Sequence, residues 1–363
     1  MNKKLLIAAV GAAIVAAPMF AQADVKVGGY VNMSLDSLKG TDQATTGTTS
    51  KYNVSSNSSK ITLSASDDLG AGMKAGFSMD TFFRADQNNG VGGANTFYGG
   101  NTALTLATGG GTVGLGTWDS GAKQNGRNFD PFINQLGDSR DMNVSNTRLN
   151  NLVFYVSPNM SGITAMVGHS TNSDSLSGSV TSPTTPTSTT ANSFIVSYAQ
   201  GPLSLGLGYD ALKKNGSPAA ASSAANSAKW TNLGGKYALD SGTSFILFYQ
   251  KEDNATYVGG DGKAKKTTGI GVSQKFDNNV VKLMVYKLKD DATTSTSKLD
   301  AKMTAIGFDH IMSKSFTVYA DIAKASNDAN AAYIASGTGH GDAPTVPAGK
   351  SSSGFGVGAV YTF

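Results

Sequence analysis

Apolar and polar residues alternate along most of this chain. In "VKVGGYVNMSLD", Val25, Val27, Val31, Met33 and Leu35 fall on one face, with Lys26, Tyr30, Asn32, Ser34 and Asp36 on the other. "KITLSAS" sets Ile61, Leu63 and Ala65 against Lys60, Thr62, Ser64 and Ser66. "MKAGFSMDTFFR" sets Met73, Ala75, Phe77, Met79 and Phe83 against Lys74, Ser78, Asp80 and Arg84. The chain ends on "GFGVGAVYTF", with Phe355, Val357, Ala359, Tyr361 and Phe363 on one side. A period of two predicts strands with one wet face and one apolar face.

The connections alternate as well. Short ones rich in Gly, Asn, Asp and Pro lie at 67–72, 108–112, 157–162, 200–202, 240–243, 277–279 and 312–316, and their composition is that of hairpin turns. Long polar ones run over 37–58, 85–97, 118–147, 171–191, 211–229, 252–266, 289–298 and 325–350, the fourth being low-complexity Ser/Thr. Seven short turns and eight long loops predict 16 strands, with every short turn at one end. The fold class is therefore all-β: a 16-stranded antiparallel up-and-down transmembrane β-barrel of the bacterial outer-membrane type. Hydrocarbon offers no partner to a free sheet edge, so the sheet must close and the last strand must pair with the first. Its apolar residues then face lipid, with Tyr361 and Phe363 at an aromatic girdle. Strands of a secreted β-sandwich alternate too, but the turn asymmetry and the aromatic terminus argue against one.

Composition supports the barrel and removes other classes. "MNKK", the apolar "LLIAAVGAAIV" and "AQA" before Asp24 read as a signal peptide over 1–23, leaving 24–363 as the barrel. Without Lys3 and Lys4, 27 basic residues stand against 25 acidic ones, a balance that does not suggest a nucleic-acid partner. Cysteine is absent, so no disulfide framework holds the fold. No later stretch approaches the 18 or so apolar residues of a membrane helix.

With these strands in place, the residues resemble a known family, the Gram-negative general porins of beta-proteobacterial type. "DVKVGGYVNMSLD" resembles the family's first strand, and "SSKITLSASDDLGAGMKAGF" its second strand, turn and third strand. "GTVGLGTWDSGAKQNGRNFDPF" resembles the approach to its constriction loop, and "AIGFDHIMSKSFTVYADIA" its penultimate hairpin. "GAVYTF" resembles the closing strand read by the barrel assembly machinery, which gives Tyr361 and Phe363 a second role as assembly signal.

The resemblance implies a homotrimer in outer-membrane lipid, each barrel holding its third long loop folded inside. Here that loop is 118–147, with Asp119, Asp130, Asp138 and Asp141 but also Lys123, Arg127 and Arg140. Carboxylates facing a basic wall across a narrow gap would create a strong transverse field. Strand parity places Lys60, Lys74, Arg84 and Arg148 on that wall. Arg127 and Arg140 are equally readable as solvated loop charges. Tyr30, Thr117 and Phe154 stand where relatives carry arginine, which implies a thinner basic wall.

Catalysis has little to stand on. His169, His310 and His340 are scattered and Glu252 is the sole glutamate, so neither a nucleophilic triad nor a carboxylate pair is apparent. Clustered metal ligands are not seen either. The chain reads as a passive diffusion channel for ions and small hydrophilic solutes, with no enzyme activity, metal or cofactor. A solute-specific channel with a greasy track of Tyr30, Phe82, Trp118 and Phe154 is the second reading. Adhesion through the Ser/Thr-rich loops is the third.

Overall fold

The computed structural model describes residues 24–41, 48–86, 99–173, 188–215, 227–253, 263–292 and 298–363. The expected signal peptide, 1–23, lies outside them. Seventeen strand segments form one sheet: β1 (Asp24–Thr41), β2 (Thr48–Ser56), β3 (Lys60–Gly70), β4 (Met73–Phe82), β5 (Thr102–Thr108), β6 (Gly111–Asp119), β7 (Arg148–Val156), β8 (Ile163–Ser170) and β9 (Ser188–Gln200), followed by β10 (Leu203–Asn215), β11 (Ser227–Ala238), β12 (Thr243–Asp253), β13 (Lys265–Phe276), β14 (Asn279–Asp290), β15 (Ala301–Ile311), β16 (Phe316–Asn327) and β17 (Ser352–Thr362). Consecutive strands pair antiparallel except β2 and β3, which both pair with β1, and β17 returns to β1 through Tyr30↔Thr362 to Lys39↔Ser353. Beyond that ladder Gly29 and Phe363 exchange backbone bonds of 3.0 and 3.1 Å, so the terminal residue itself helps to close the barrel.

β2 and β3 are one wall strand broken at 57–59: both pair with β1, and the register slips by one residue between Met33↔Ser56 and Tyr30↔Lys60. The barrel therefore has 16 wall strands. The expected loop at 37–58 is corrected: β1 and β2 continue as a paired ribbon, Met33↔Ser56 to Thr41↔Thr48. "TTSKYNVSS" is polar enough to resemble a loop, but its backbone groups are satisfied by the ladder, and Tyr52 and Val54 point outward and are exposed. The break turns on Ser58, at φ 53°. There Asn57 receives a bond from the Gly341 amide (2.9 Å), and Ser58 donates to the Gly339 carbonyl (2.9 Å).

The alternation appears in space as an inverted molecule. Leu35, Leu247 and Ile270 are about 60 % exposed on the outer face (62, 62 and 59 %), while inward neighbours such as Asp36, Gln250 and Thr267 are buried. A continuous apolar outer band is stable only against an apolar medium. None of the helices among the described residues is long and apolar enough to cross a membrane.

The buried apolar core lies inside the barrel, between the wall and the segment that joins β6 to β7. That segment forms α1 (Gly121–Asn128) and a 3-10 turn (Ser139–Met142). Phe132, Leu136 and Met142 pack with inward Met284, Tyr286, Met303, Ala305 and Ala323. Ala122 packs with Leu152, Ile195, Leu212 and Trp230. Gly307 is needed here: a Cβ would stand 2.8 Å from the Phe132 ring.

Candidate functional site

Ser120 caps α1, its hydroxyl accepting from the Lys123 amide at 3.3 Å and donating to Asp210 of β10 at 2.5 Å. Asn125 of the helix donates to Asn232 of β11 (2.9 Å), and Thr267 of β13 donates to the Met142 carbonyl (2.9 Å). Each wall residue named has inward parity, so the segment 120–147 is laid along the inner face of β10–β15. Beside it the residues after β16 also turn inward, because Asp141 accepts the amides of Gly337 (2.9 Å) and Thr338 (2.6 Å).

What these leave open is a cavity of about 570 Å³ inside the barrel. Lys60, Arg84, Lys123, Arg127, Arg140 and Arg148 line it, opposed by Asp80 and Asp119. Lys60 pairs with Asp80 at 2.9 Å. Asp119 is shared by Lys123 and Arg148, each at 2.9 Å. Both lining carboxylates are thus neutralised. Arg84 is held by Asp86 (2.6 Å), and Arg140 by Asp138 (2.5 Å) and Asn134 (2.7 Å). Arg127 has no ion-pair partner among the described residues and projects an uncompensated charge.

Three of the four carboxylates expected to face the wall do something else. Asp130 is buried and accepts the amides of Phe132 and Ser139, both at 2.8 Å. Asp138 caps the 3-10 turn through the Arg140 amide (3.0 Å), and Asp141 holds 337–338. All three are braces that satisfy backbone donors in a compact loop, and none of them lines the cavity. Burial, with Asp138 close by, pushes Asp141 up to about 7 and raises Asp130 as well, which weakens any negative field from this side. Arg140 is destabilised as a cation by burial, but its bond to Asp138 and the surrounding carboxylates more than compensate, and its affinity for the proton rises.

Lys60, Arg84 and Arg148 meet in the cavity as strand parity indicated. Lys74 does not join them. It shares their parity but sits opposite Asp68 at the short-turn end of β4, exposed and outside the cavity. Parity names a face, not a height. Asp80 was missed as a site residue, and Lys123 was placed in the loop without a role, although its i,i+4 spacing from Asp119 carries the pair. The aromatic track divides: Tyr30 and Phe82 lie under Lys60 (5.9 Å) and Arg148 (5.7 Å) in the cavity, whereas Trp118 and Phe154 stack at 5.4 Å in the buried cluster. Tyr361 and Phe363 sit on the outer face, their rings 6.3 Å apart.

A closed 16-stranded barrel with an apolar exterior and a charged interior defines an outer-membrane channel protein. Residues 8–330 match the Gram-negative porin family, and the chain belongs to that family. It is a diffusion channel of the outer membrane. Among solved structures it is similar to an anion-selective porin from Comamonas acidovorans (22 % identity, TM-score 0.72, covering 94 % of this chain and 100 % of that one). It is also similar to the trimer form of OmpT from Vibrio cholerae (12 %, 0.65, 94 % and 99 %) and to Salmonella typhi OmpF in complex with daunomycin (14 %, 0.66, 93 % and 97 %). No curated protein matches the sequence.

Proposed function

We propose that this porin passes small hydrophilic solutes without catalysis and favours anions, the segment 120–147 acting as the constriction. The observation that carries the reading is the charge of the cavity: six basic residues line it against two carboxylates, and with Arg84 and Arg140 paired to Asp86 and Asp138 outside the lining, Arg127 and one of the two cations sharing Asp119 remain uncompensated. A narrow wet passage with low-dielectric walls concentrates such a field and raises the local concentration of the opposite charge. The anion-selective Comamonas porin shares the fold, and the Vibrio trimer supports the same assembly here. On this reading the 1–23 segment is removed at export, and Tyr361 and Phe363 serve the assembly machinery. The test is the zero-current potential in planar bilayers under a tenfold potassium chloride gradient. Its sign should report chloride as the more permeant ion; a cation-favouring sign overturns the reading.

Lys123 adds a pH dependence. Burial lowers its affinity for the proton to about 8, against the pull of Asp119, with Arg148 lowering it further. A depressed lysine is charged below that value and neutral above it, so the anion preference should fall as pH rises through about 8. Lys123→Met should show the reduced preference already at pH 7 and should fall less than the unaltered barrel up to pH 9. An identical pH profile in both proteins would remove Lys123 from the site.

A further inference from the structure

Two inward rings stand in the passage without a packing role. Trp118 and Phe154 pack with the buried cluster around Ala122, but Tyr30 and Phe82 belong to neither buried cluster and line the cavity. The register sets them in one strip. Tyr30 of β1 is directly opposite Lys60 of β3, and Lys60 is directly opposite Phe82 of β4. The Arg148 guanidinium lies 5.7 Å from the Phe82 ring, and the Lys60 ammonium 5.9 Å from that of Tyr30. Ring and cation therefore alternate across the wall: Tyr30, Lys60, Phe82, Arg148. At one edge the Tyr30 hydroxyl accepts from the Asn134 side chain of the loop at 2.9 Å. Arg127 faces the strip from that loop, within electrostatic reach of both Tyr30 and Asp119.

The charged groups still open to a ligand are donors. Asp80 is taken by Lys60 (2.9 Å) and by the Thr62 hydroxyl (2.5 Å), and Asp119 by Lys123 and Arg148. Arg148 spends Nε on Asp119 (2.9 Å) and Asn101 (3.1 Å) and Nη1 on the Gly99 carbonyl. Its Nη2 has no hydrogen bond among the described residues, and Arg127 has no ion-pair partner there. A guanidinium donates and cannot accept, so a ligand held by these two must bring the acceptor oxygens itself. A sugar, which offers donors as well, finds both lining carboxylates already engaged.

We propose that this strip is a binding site for small aromatic carboxylates, the carboxylate taken by Arg127 and Arg148 and the ring laid against Phe82, with Tyr30 extending the aromatic surface beyond Lys60. The proposal deepens the anion-favouring reading and rests on it. Arginine matches the planar fork of a carboxylate, and flat rings gain from stacking on one another beyond the area they bury. A pocket of this kind, part apolar with a few convergent polar groups, is the usual form of a small-molecule site. Acetate satisfies its charge alone, benzamide its ring alone, and benzoate both.

The test titrates the chloride current through the channel in planar bilayers at pH 7 with sodium benzoate, sodium acetate and benzamide, and records the zero-current potential in the same membranes. Benzoate should block saturably, at a half-blocking concentration at least tenfold below those of acetate and benzamide. Phe82→Leu keeps an apolar side chain and removes the ring, so it should raise the benzoate value at least threefold, toward that of acetate. Equal half-blocking concentrations for benzoate and acetate in the unaltered barrel overturn the proposal, with no variant needed. So does benzamide blocking as well as benzoate, or an unchanged benzoate value in Phe82→Leu. With a potential that still favours chloride, each of these failures sinks the aromatic site and leaves the anion preference standing. A cation-favouring potential overturns the anion preference and the site together.

Discussion

Arg127→Glu is expected to move the zero-current potential further than any other single change in the cavity. Arg127 lines the passage without an ion-pair partner among the described residues, so the exchange changes the field by two charges and breaks no pair. A unit charge about 5 Å from a permeating ion in water-like surroundings is worth about 0.8 kcal/mol. Two such charges come to about 1.6 kcal/mol, roughly tenfold for each ion and in opposite directions, so the anion-to-cation permeability ratio should fall by about 10²-fold. Asp130→Asn is the contrast: its carboxylate faces loop amides and not the passage, so it should leave the potential in place. A shift as large for Asp130→Asn as for Arg127→Glu would mean that the loop does not present its charges in this way.

Phe132→Ala should unfasten the constriction while leaving the barrel intact. Phe132 is fully buried against the inner wall, and the Lys282 ammonium lies 4.7 Å from its ring. Truncating a buried phenylalanine typically costs about 3–5 kcal/mol. That cost falls on the packing of 120–147 against β14–β16, so it should appear as local opening. Amide hydrogen exchange in the segment should quicken by about 10²- to 10³-fold, with the strand amides of β14–β16 slowed or quickened far less. Equal acceleration in segment and strands would show that Phe132 supports the barrel as a whole.

The barrel was legible because lipid imposes a simple rule on each strand. Outward positions must be apolar and inward ones need not be, which is why "VKVGGYVNMSLD" and "GFGVGAVYTF" give their faces and their closure directly. The rule lapses beyond the membrane, and there the reading failed: β1 and β2 continue as a ribbon that looked like a loop. One signal for the inner packing was present and not used. β14, "NVVKLMVYKLKD", is apolar on both faces over Met284, Val285 and Tyr286, as a strand must be when lipid covers one side and a folded loop the other. Small inward residues on β15 and β16, Ala305, Gly307 and Ala323, mark the space that loop occupies.

By itself the sequence determined the strand count, the two faces of the regularly alternating strands and the family. It also placed Lys60, Arg84 and Arg148 on the inner wall, since those properties follow from local periodicity and turn chemistry. Tertiary structure decided the sign of the cavity. Asp130, Asp138 and Asp141 are as acidic in the sequence as any pore carboxylate, but the loop spends them on its own amides and on 337–338, and turns Lys123, Arg127 and Arg140 toward the passage. Height along the strand was likewise decided in three dimensions, which is why Lys74 has the right face and the wrong end. Periodicity records which side of a sheet a residue occupies; only the folded loop determines which charges meet across the gap.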